Sequence, residues 1–195
     1  MTPDAQRLSA REAQILLYAL GYRTAFGFLP ADSPDRVQTA AALAALAHRG
    51  VLVPEADALR LAEPWRTWMN CWGSAPGCVS LWAAGGRRAS CHAGCGGVLV
   101  CAPLYRSPET MLLRWGDAAS AWDAALEALG GLPACPALAG EALLRAEWLG
   151  DSGADRALEI QAGPEGPVLV SGEQRRADWN AAARTLVKEW LEEAV

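Results

Sequence analysis

Two histidines and six cysteines are the residues of this chain whose types could do chemistry. The cysteines stand at positions 71, 78, 91, 95, 101 and 135, and the histidines are His48 and His92. Cys91-His92-Ala93-Gly94-Cys95, with Cys78 and Cys101 nearby, is the densest set of metal-ligating types. Zinc takes four thiolate or imidazole ligands at tetrahedral angles. No second CxxC-type knuckle accompanies the run, and its residues lie on adjacent strands around a glycine turn. The reading is therefore core thiols, with no metal and no cofactor. A nucleophilic cysteine needs a base. His48 falls near the end of a helix, where a cation suits the dipole, and that explains it. The G-x-S-x-G, G-x-x-x-x-G-K and G-x-G-x-x-G patterns are missing. Carboxylates are scattered over exposed helical positions. No catalytic residue is assigned, and a non-enzymatic protein is expected.

Nine tryptophans are the next unusual feature. Trp122, Trp179 and Trp190 fall on buried helical faces by periodicity. Trp65, Trp68 and Trp72 lie at helical spacing, with Met69, in a connector opened by Pro64. They read as core, or as an aromatic strip that meets a partner, and they are the candidate partner-binding residues.

The stretch Cys78–Leu129 must position the cysteines. Val79, Leu81 and Ala83 alternate with Ser80, Trp82 and Ala84, which is the period of a strand. Gly85-Gly86 turns the chain, and Arg87 to Cys91 returns as a mostly polar strand, placed at an edge. A turn at Gly94, Gly96 and Gly97 leads to Val98–Ala102, apolar throughout, as for a strand covered on both faces. Ser107-Pro108 ends that region, and Thr110 to Trp115 is a fourth short strand. Asp117 caps a helix whose stripe is Ala118, Ala121, Trp122, Ala125, Leu126 and Leu129. Gly130-Gly131 stops it.

Upstream, Ser9 and Glu12 form a capping box, and Ala13, Leu16, Leu17 and Leu20 face inward up to Gly21. Tyr22 to Ala31 is irregular, with Phe26, Phe28 and Leu29 tucked under the core. Ser33-Pro34 starts a second helix, with Val37, Ala40, Leu43, Ala44 and Ala47 as its buried face and Gly50 at its end. Val51-Leu52-Val53 pairs with Ala58–Leu61 as a small wing. Downstream of Pro133 and Pro136, Ala142–Leu149 fits helix or strand. Ala157–Gln161 and Val168–Val170 are strands around a Gly163–Gly166 turn. Ser171 and Gln174 read as another capping box. A last helix buries Trp179, Ala183, Leu186, Val187, Trp190 and Leu191. Ala121-Trp122-Asp123-Ala124-Ala125 is similar to Asp178-Trp179-Asn180-Ala181-Ala182, which points to a sheet-plus-helix unit used twice, about a quasi-twofold axis.

The class is α+β: one domain over 1–195, with a winged-helix-like unit (1–72), an antiparallel meander with its packed helix (73–133) and a second sheet-helix repeat (134–195). Apolar residues make up 52% of the chain, so a packed core is expected rather than disorder. No apolar run reaches the roughly 20 residues of a membrane span. Without a basic region and apolar core at the N-terminus, a cytoplasmic protein with reduced thiols is expected. Net charge is −5, and residues 1–70 hold seven Arg against seven Asp or Glu. A neutral winged unit argues against nucleic acid, since phosphate contacts need several cations on one face.

Leu8-Ser9-x-x-Glu12-x-x-x-Leu16-Leu17-x-x-Leu20-Gly21, then Leu46-Ala47-His48-Arg49-Gly50-Val51-Leu52, then meander and helix, resembles the EspG-type chaperones of type VII secretion. That resemblance implies an α+β fold with quasi-twofold sheet and helices, and a protein that keeps secretion substrates soluble in the cytosol. It covers residues 8 to about 132 by order of elements. This chain is shorter, its second half is compressed, and no substrate-contacting residue matches. The expected function is protein binding, as a chaperone or adaptor. A winged-helix DNA-binding regulator and a small-molecule binder with a pocket between the repeats are the alternatives.

Overall fold

The computed structural model describes residues 5–23, 25–26, 35–104, 107–132, 140–150 and 156–194. Strand β1 (Gln6–Ser9) runs directly into helix α1 (Ala10–Ala19). The capping box forms as expected: the Glu12 N–H donates to Ser9 Oγ at 3.1 Å, and the Ser9 N–H donates to the Glu12 carboxylate at 2.7 Å. Helix α2 (Arg36–His48) is followed by the wing, β2 (Leu52–Glu55) and β3 (Ala58–Leu61), an antiparallel pair. Helix α3 (Trp65–Ser74) then delivers the chain to the main sheet.

That sheet is built twice over. The first unit is β4 (Gly77–Ala83), β5 (Arg88–Gly94), β6 (Gly97–Leu104), β7 (Ser107–Gly116) and helix α4 (Ala118–Ala128). The second is β8 (Ala142–Gly150), β9 (Ala157–Gly163), β10 (Gly166–Ser171), β11 (Gln174–Arg176) and helix α5 (Trp179–Glu192). The order is β1-β7-β6-β5-β4-β8-β9-β10-β11, so each unit is a four-strand meander running outward from a central β4–β8 pair. Every pairing in it is antiparallel, and β1 closes one edge against β7. This is the α+β class with a long antiparallel meander. Asp123 stands six residues past the α4 cap Asp117, and Arg184 six past the α5 cap Asp178. Their ion pair at 2.8 Å thus joins equivalent positions of the two helices.

Several expectations are corrected. The Arg87–Cys91 strand is not an edge: β5 lies between β4 and β6, and Ala89 to Ala93 are buried. Its polar look comes from Ser90 and His92, which are covered by α3. Ala142–Leu149 is strand, paired along its length with β4. The fourth strand begins at Ser107, not Thr110. Helix α2 begins at Arg36, capped by Asp35, whose Oδ1 accepts from the Gln38 N–H at 2.7 Å. Ser33 and Pro34, like Phe28 and Leu29, lie outside the described residues. Ser171 and Gln174 form no capping box: they are paired partners across the β10–β11 turn. Gly172, at φ +57°, makes that turn cheap, whereas Ser-x-x-Gln is a two-residue pattern that turns also satisfy. The repeat is real in topology but its sequence alignment slips by one helical turn. Trp122 stands five residues past its cap, and Trp179 only one.

Two cores sandwich the sheet. On one face, Val79, Leu81, Ala83, Val98, Val100, Leu144, Ala146, Leu158 and Ile160 meet α4 and α5, with fully buried Trp122 at the centre. Trp122 Nε1 donates to Asn180 Oδ1 at 2.7 Å, so the indole's one polar atom is satisfied between the helices. On the other face, Leu99, Cys101 and Leu113 meet α1 and α3. Strand β6 serves both cores, which is why Val98 to Ala102 are apolar without alternation.

Candidate functional site

The cysteine and histidine run does not converge. Alternation sends Cys91 to the α4 face, where its Sγ lies 3.9 Å from the Ala121 carbonyl, and His92 to the α3 face, 5.9 Å from the Trp72 ring. Cys95 is exposed in the β5–β6 turn. No group of three or more metal-ligating side chains forms among the described residues. His92 is fully buried. Its Nε2 sits 2.9 Å from Ser90 Oγ, and Nδ1 has no hydrogen-bond partner among the described residues. Burial lowers its pKa to about 3, so the ring is neutral at physiological pH. Burial pushes the Cys71 and Cys78 thiols up to about 12 and also raises the Cys91 and Cys101 thiols well above the usual thiol range. These thiols are protonated and inert. Cys71 Sγ donates to the His92 carbonyl at 3.2 Å, a structural contact between α3 and β5.

The three candidate partner-binding tryptophans are interior. Trp72 is fully buried, Trp68 is 1% exposed and Trp65 is 9% exposed. Trp65 and Trp68 pack ring to ring at 5.4 Å, and Trp72 Nε1 donates to the Phe26 carbonyl at 3.3 Å. Of the two sequence readings, the structure has the core. The physical reason is that α3 is sandwiched between the sheet and α1. Gly73 lets the Tyr22 ring lie against it, since a Cβ there would stand 2.2 Å from that ring. The three indoles lie in the interior, and the exposed residues of α3 are Arg66 and Ser74.

The exposed apolar surface lies elsewhere. Of the buried face expected for α2, Val37 is 78% exposed, Ala40, Ala44 and Ala47 are exposed, and Leu43 is half-buried. Only Leu46 is buried within that helix. A helix apolar on all sides is normally enclosed; this one is held to the body along a narrow line. Its C-terminal Arg49 makes the anchor. Nη2 reaches Glu12 Oε1 at 2.6 Å, and Nη1 donates to the Arg7 carbonyl at 2.9 Å. Arg49→Ala is expected to lower unfolding free energy by about 1 kcal/mol, a charged but half-exposed contact; urea titration measures it. Leu59 in the wing and Tyr18 on α1 are 51% and 50% exposed. Together with Val37 they are the exposed large apolar side chains among the described residues, and all three belong to the N-terminal helices and wing. Sequence reasoning missed this surface. The signal was the absence of a polar face on α2: alanines at every phase fit a stripe drawn anywhere.

Among the concavities is a pocket of about 340 Å³ beside α4, lined by Val98 and Val100 and by Arg114, Asp117, Asp123 and Glu127; others of about 500 Å³ and 400 Å³ lie beside Tyr18 and Arg23 and beside Gly163 and Arg175. The pocket beside α4 lies at the outer side of the first unit, not between the two repeats, where α4 and α5 pack directly. Its one Arg and Glu127 satisfy each other in a two-point ion pair. Among the described residues no helix is long and apolar enough to cross a membrane. No protein-family model matches the chain, and no curated protein matches it.

Proposed function

We propose that this chain binds another protein in the cytoplasm, as a chaperone or adaptor, through α2 and the wing. The observation that carries the reading is α2 itself, thirteen residues of largely apolar helix with one buried side chain. Desolvating such a surface against a partner helix or strand gains roughly 25 cal/mol per Å² of apolar area. The order of elements, which resembles the EspG-type secretion chaperones, supports the same reading, as does the burial of Cys71, Cys78, Cys91, His92 and Cys101 away from solvent. Of the would-be recognition helix's two arginines, Arg36 and Arg49, the second is occupied by Glu12 and the β1 backbone. That disfavours a role in contacting phosphate.

The test is quantitative capture from the native lysate, with and without nuclease, using the wild-type chain and a Val37→Glu/Ala44→Glu variant. A stoichiometric protein that resists nuclease and is retained at least about tenfold less by the variant supports the reading. The variant should unfold within about 0.5 kcal/mol of wild type, because both positions are solvent-exposed. Retention equal to wild type sinks the assignment to α2. Partners that vanish with nuclease favour the winged-helix regulator.

A further inference from the structure

Val37 and Leu59, two of the large apolar side chains left exposed, mark the two ends of one surface. Val37 lies in the first turn of α2, next to Arg36. Leu59 lies in the wing that follows the other end of α2, close to Asp57. Within the wing, Leu52 pairs with Leu61, and Pro54 with Leu59. Alternation puts Pro54 and Leu59 on the same face of the ribbon as the buried Leu52 and Leu61. The wing therefore carries its apolar face past the edge of the core, where Pro54 and Leu59 meet solvent. The charges divide in the same way. Arg36 is exposed and has no carboxylate partner among the described residues, and its neighbour Asp35 accepts from the Gln38 N–H as the helix cap. In the wing, Arg60 pairs with Glu55 at 3.1 Å, which leaves Asp57 as the charge with no partner among the described residues. One end of the surface thus offers an apolar side chain beside a free cation, and the other an apolar side chain beside a free anion. A partner of one charge sign would match one end and oppose the other. A twofold interface instead needs a surface complementary to itself, in which residue i meets j and j meets i.

We propose that α2 and the wing pair with the same face of a second copy of this chain, as an antiparallel twofold dimer. The proposal rests on the reading of α2 and the wing as a docking face, and it names what covers that face when no other protein does. A twofold axis across the middle of α2 sets the first turn of one α2 beside the last turn of the other and against the wing that follows it. Val37 then packs on the partner's Leu59, Arg36 meets the partner's Asp57, and each contact occurs twice. Between the ends, the exposed Ala40, Ala41 and Ala44 are short enough to let the two helices approach to about 8 Å, the near end of the usual range. Thirteen residues of helix span about 20 Å. With a short ribbon at each end, that is a small interface, so the dimer is weak and reversible, with a dissociation constant on the order of micromolar. A different protein that binds α2 does so by displacing the second copy. Charge contacts at the rim add little affinity but fix partner and register, which makes Arg36 and Asp57 the residues to test.

The test is sedimentation velocity of the purified full-length chain from about 2 to about 200 µM, a span set around the micromolar constants of small interfaces. The expected result is a reversible monomer–dimer equilibrium with nothing larger. Arg36→Asp and Asp57→Arg should each weaken dimerisation at least about tenfold, since each sets like charges against one another at both symmetric contacts. An equimolar mixture of the two variants should dimerise within about threefold of wild type, because every contact between the unlike chains then joins opposite signs. Both positions are exposed, so both variants should fold as wild type does. A monomer throughout the range, single variants that dimerise as wild type does, a mixture that stays monomeric, or growth beyond the dimer would overturn the proposal. The purified protein keeps this result apart from the lysate capture. A monomer that still captures a protein through α2 sinks the dimer alone, and a dimer that captures no other protein sinks only the function proposed above.

Discussion

Trp122→Ala is expected to lower the free energy of unfolding by about 3–5 kcal/mol, the range for truncating a large buried aromatic side chain. Trp122 is fully buried where α4, α5 and the sheet meet, among residues drawn from both sheet-helix units. Domains of this size are stable by only about 5–15 kcal/mol, so the variant would stand near the edge of folding at room temperature. Trp122→Phe keeps most of the apolar volume but loses the donor to Asn180. It should cost about 1 kcal/mol beyond its packing change, with a coupling of similar size in a double-mutant cycle with Asn180→Ala. Urea titration of the wild type, Trp122→Ala and the three variants of the cycle gives these values. A loss below about 1 kcal/mol for Trp122→Ala would mean that the two units do not share this core. A steep loss seen by probes on both units at one denaturant concentration is the expected cooperative outcome.

Acidification is expected to destabilise the protein from pH 6.5 downward, before the carboxylates titrate. His92 in the unfolded chain protonates near 6.5, whereas in the folded chain burial holds its pKa at about 3. A depressed pKa on a base means that the unfolded state binds the proton first. Stability is therefore complete above 6.5 and falls by up to about 1.4 kcal/mol per pH unit between 6.5 and 3. At pH 5 the loss from this one group is about 2 kcal/mol. The folded state offers the imidazolium little: Nε2 has only the Ser90 hydroxyl, Nδ1 has no described partner, and the nearest ring is Trp72. The lowered Asp117, Glu127 and Asp178 carboxylates, held down by hydrogen bonds from Ser120, Arg114 and Arg176, act only below their ordinary range of about 4. The window from pH 6.5 to 5 thus isolates His92. His92→Gln should flatten that slope whatever its own cost at neutral pH. An equal slope in wild type and variant would show that the buried imidazole is not its source.

Elements whose signals are local were legible in the sequence. Ser9 with Glu12, Asp117 ahead of its stripe, Gly85-Gly86 and the Gly94–Gly97 turn formed where the chain predicts, because caps and turns satisfy backbone groups within a few residues. The α+β class and the doubled sheet-helix plan also followed, since alternation and helical stripes report which face is buried. The candidate site was less legible. Trp65, Trp68 and Trp72 have the spacing of a buried stripe and of a binding strip alike, and only the covering of α3 by α1 and the sheet separates the two. Val37, Ala40 and Ala44 failed for the opposite reason: an alanine-rich helix has no phase, so periodicity cannot say which side is wet.

The sequence by itself therefore determined the capped helices, the turns, the strands with clear period and the class of the fold. Tertiary structure alone decided three things. The polar strand Arg88–Gly94 became interior because β4 and β6 pair along its two sides and α3 and α4 cover its two faces, and its own serine and histidine carry no sign of that covering. Cys91 and His92, neighbours in the chain, were separated to opposite faces by the pleat, which removed the densest chemical motif as a site. And α2 was left with its apolar sides in solvent, because burial depends on what else the chain brings alongside, a contact between residues far apart in sequence.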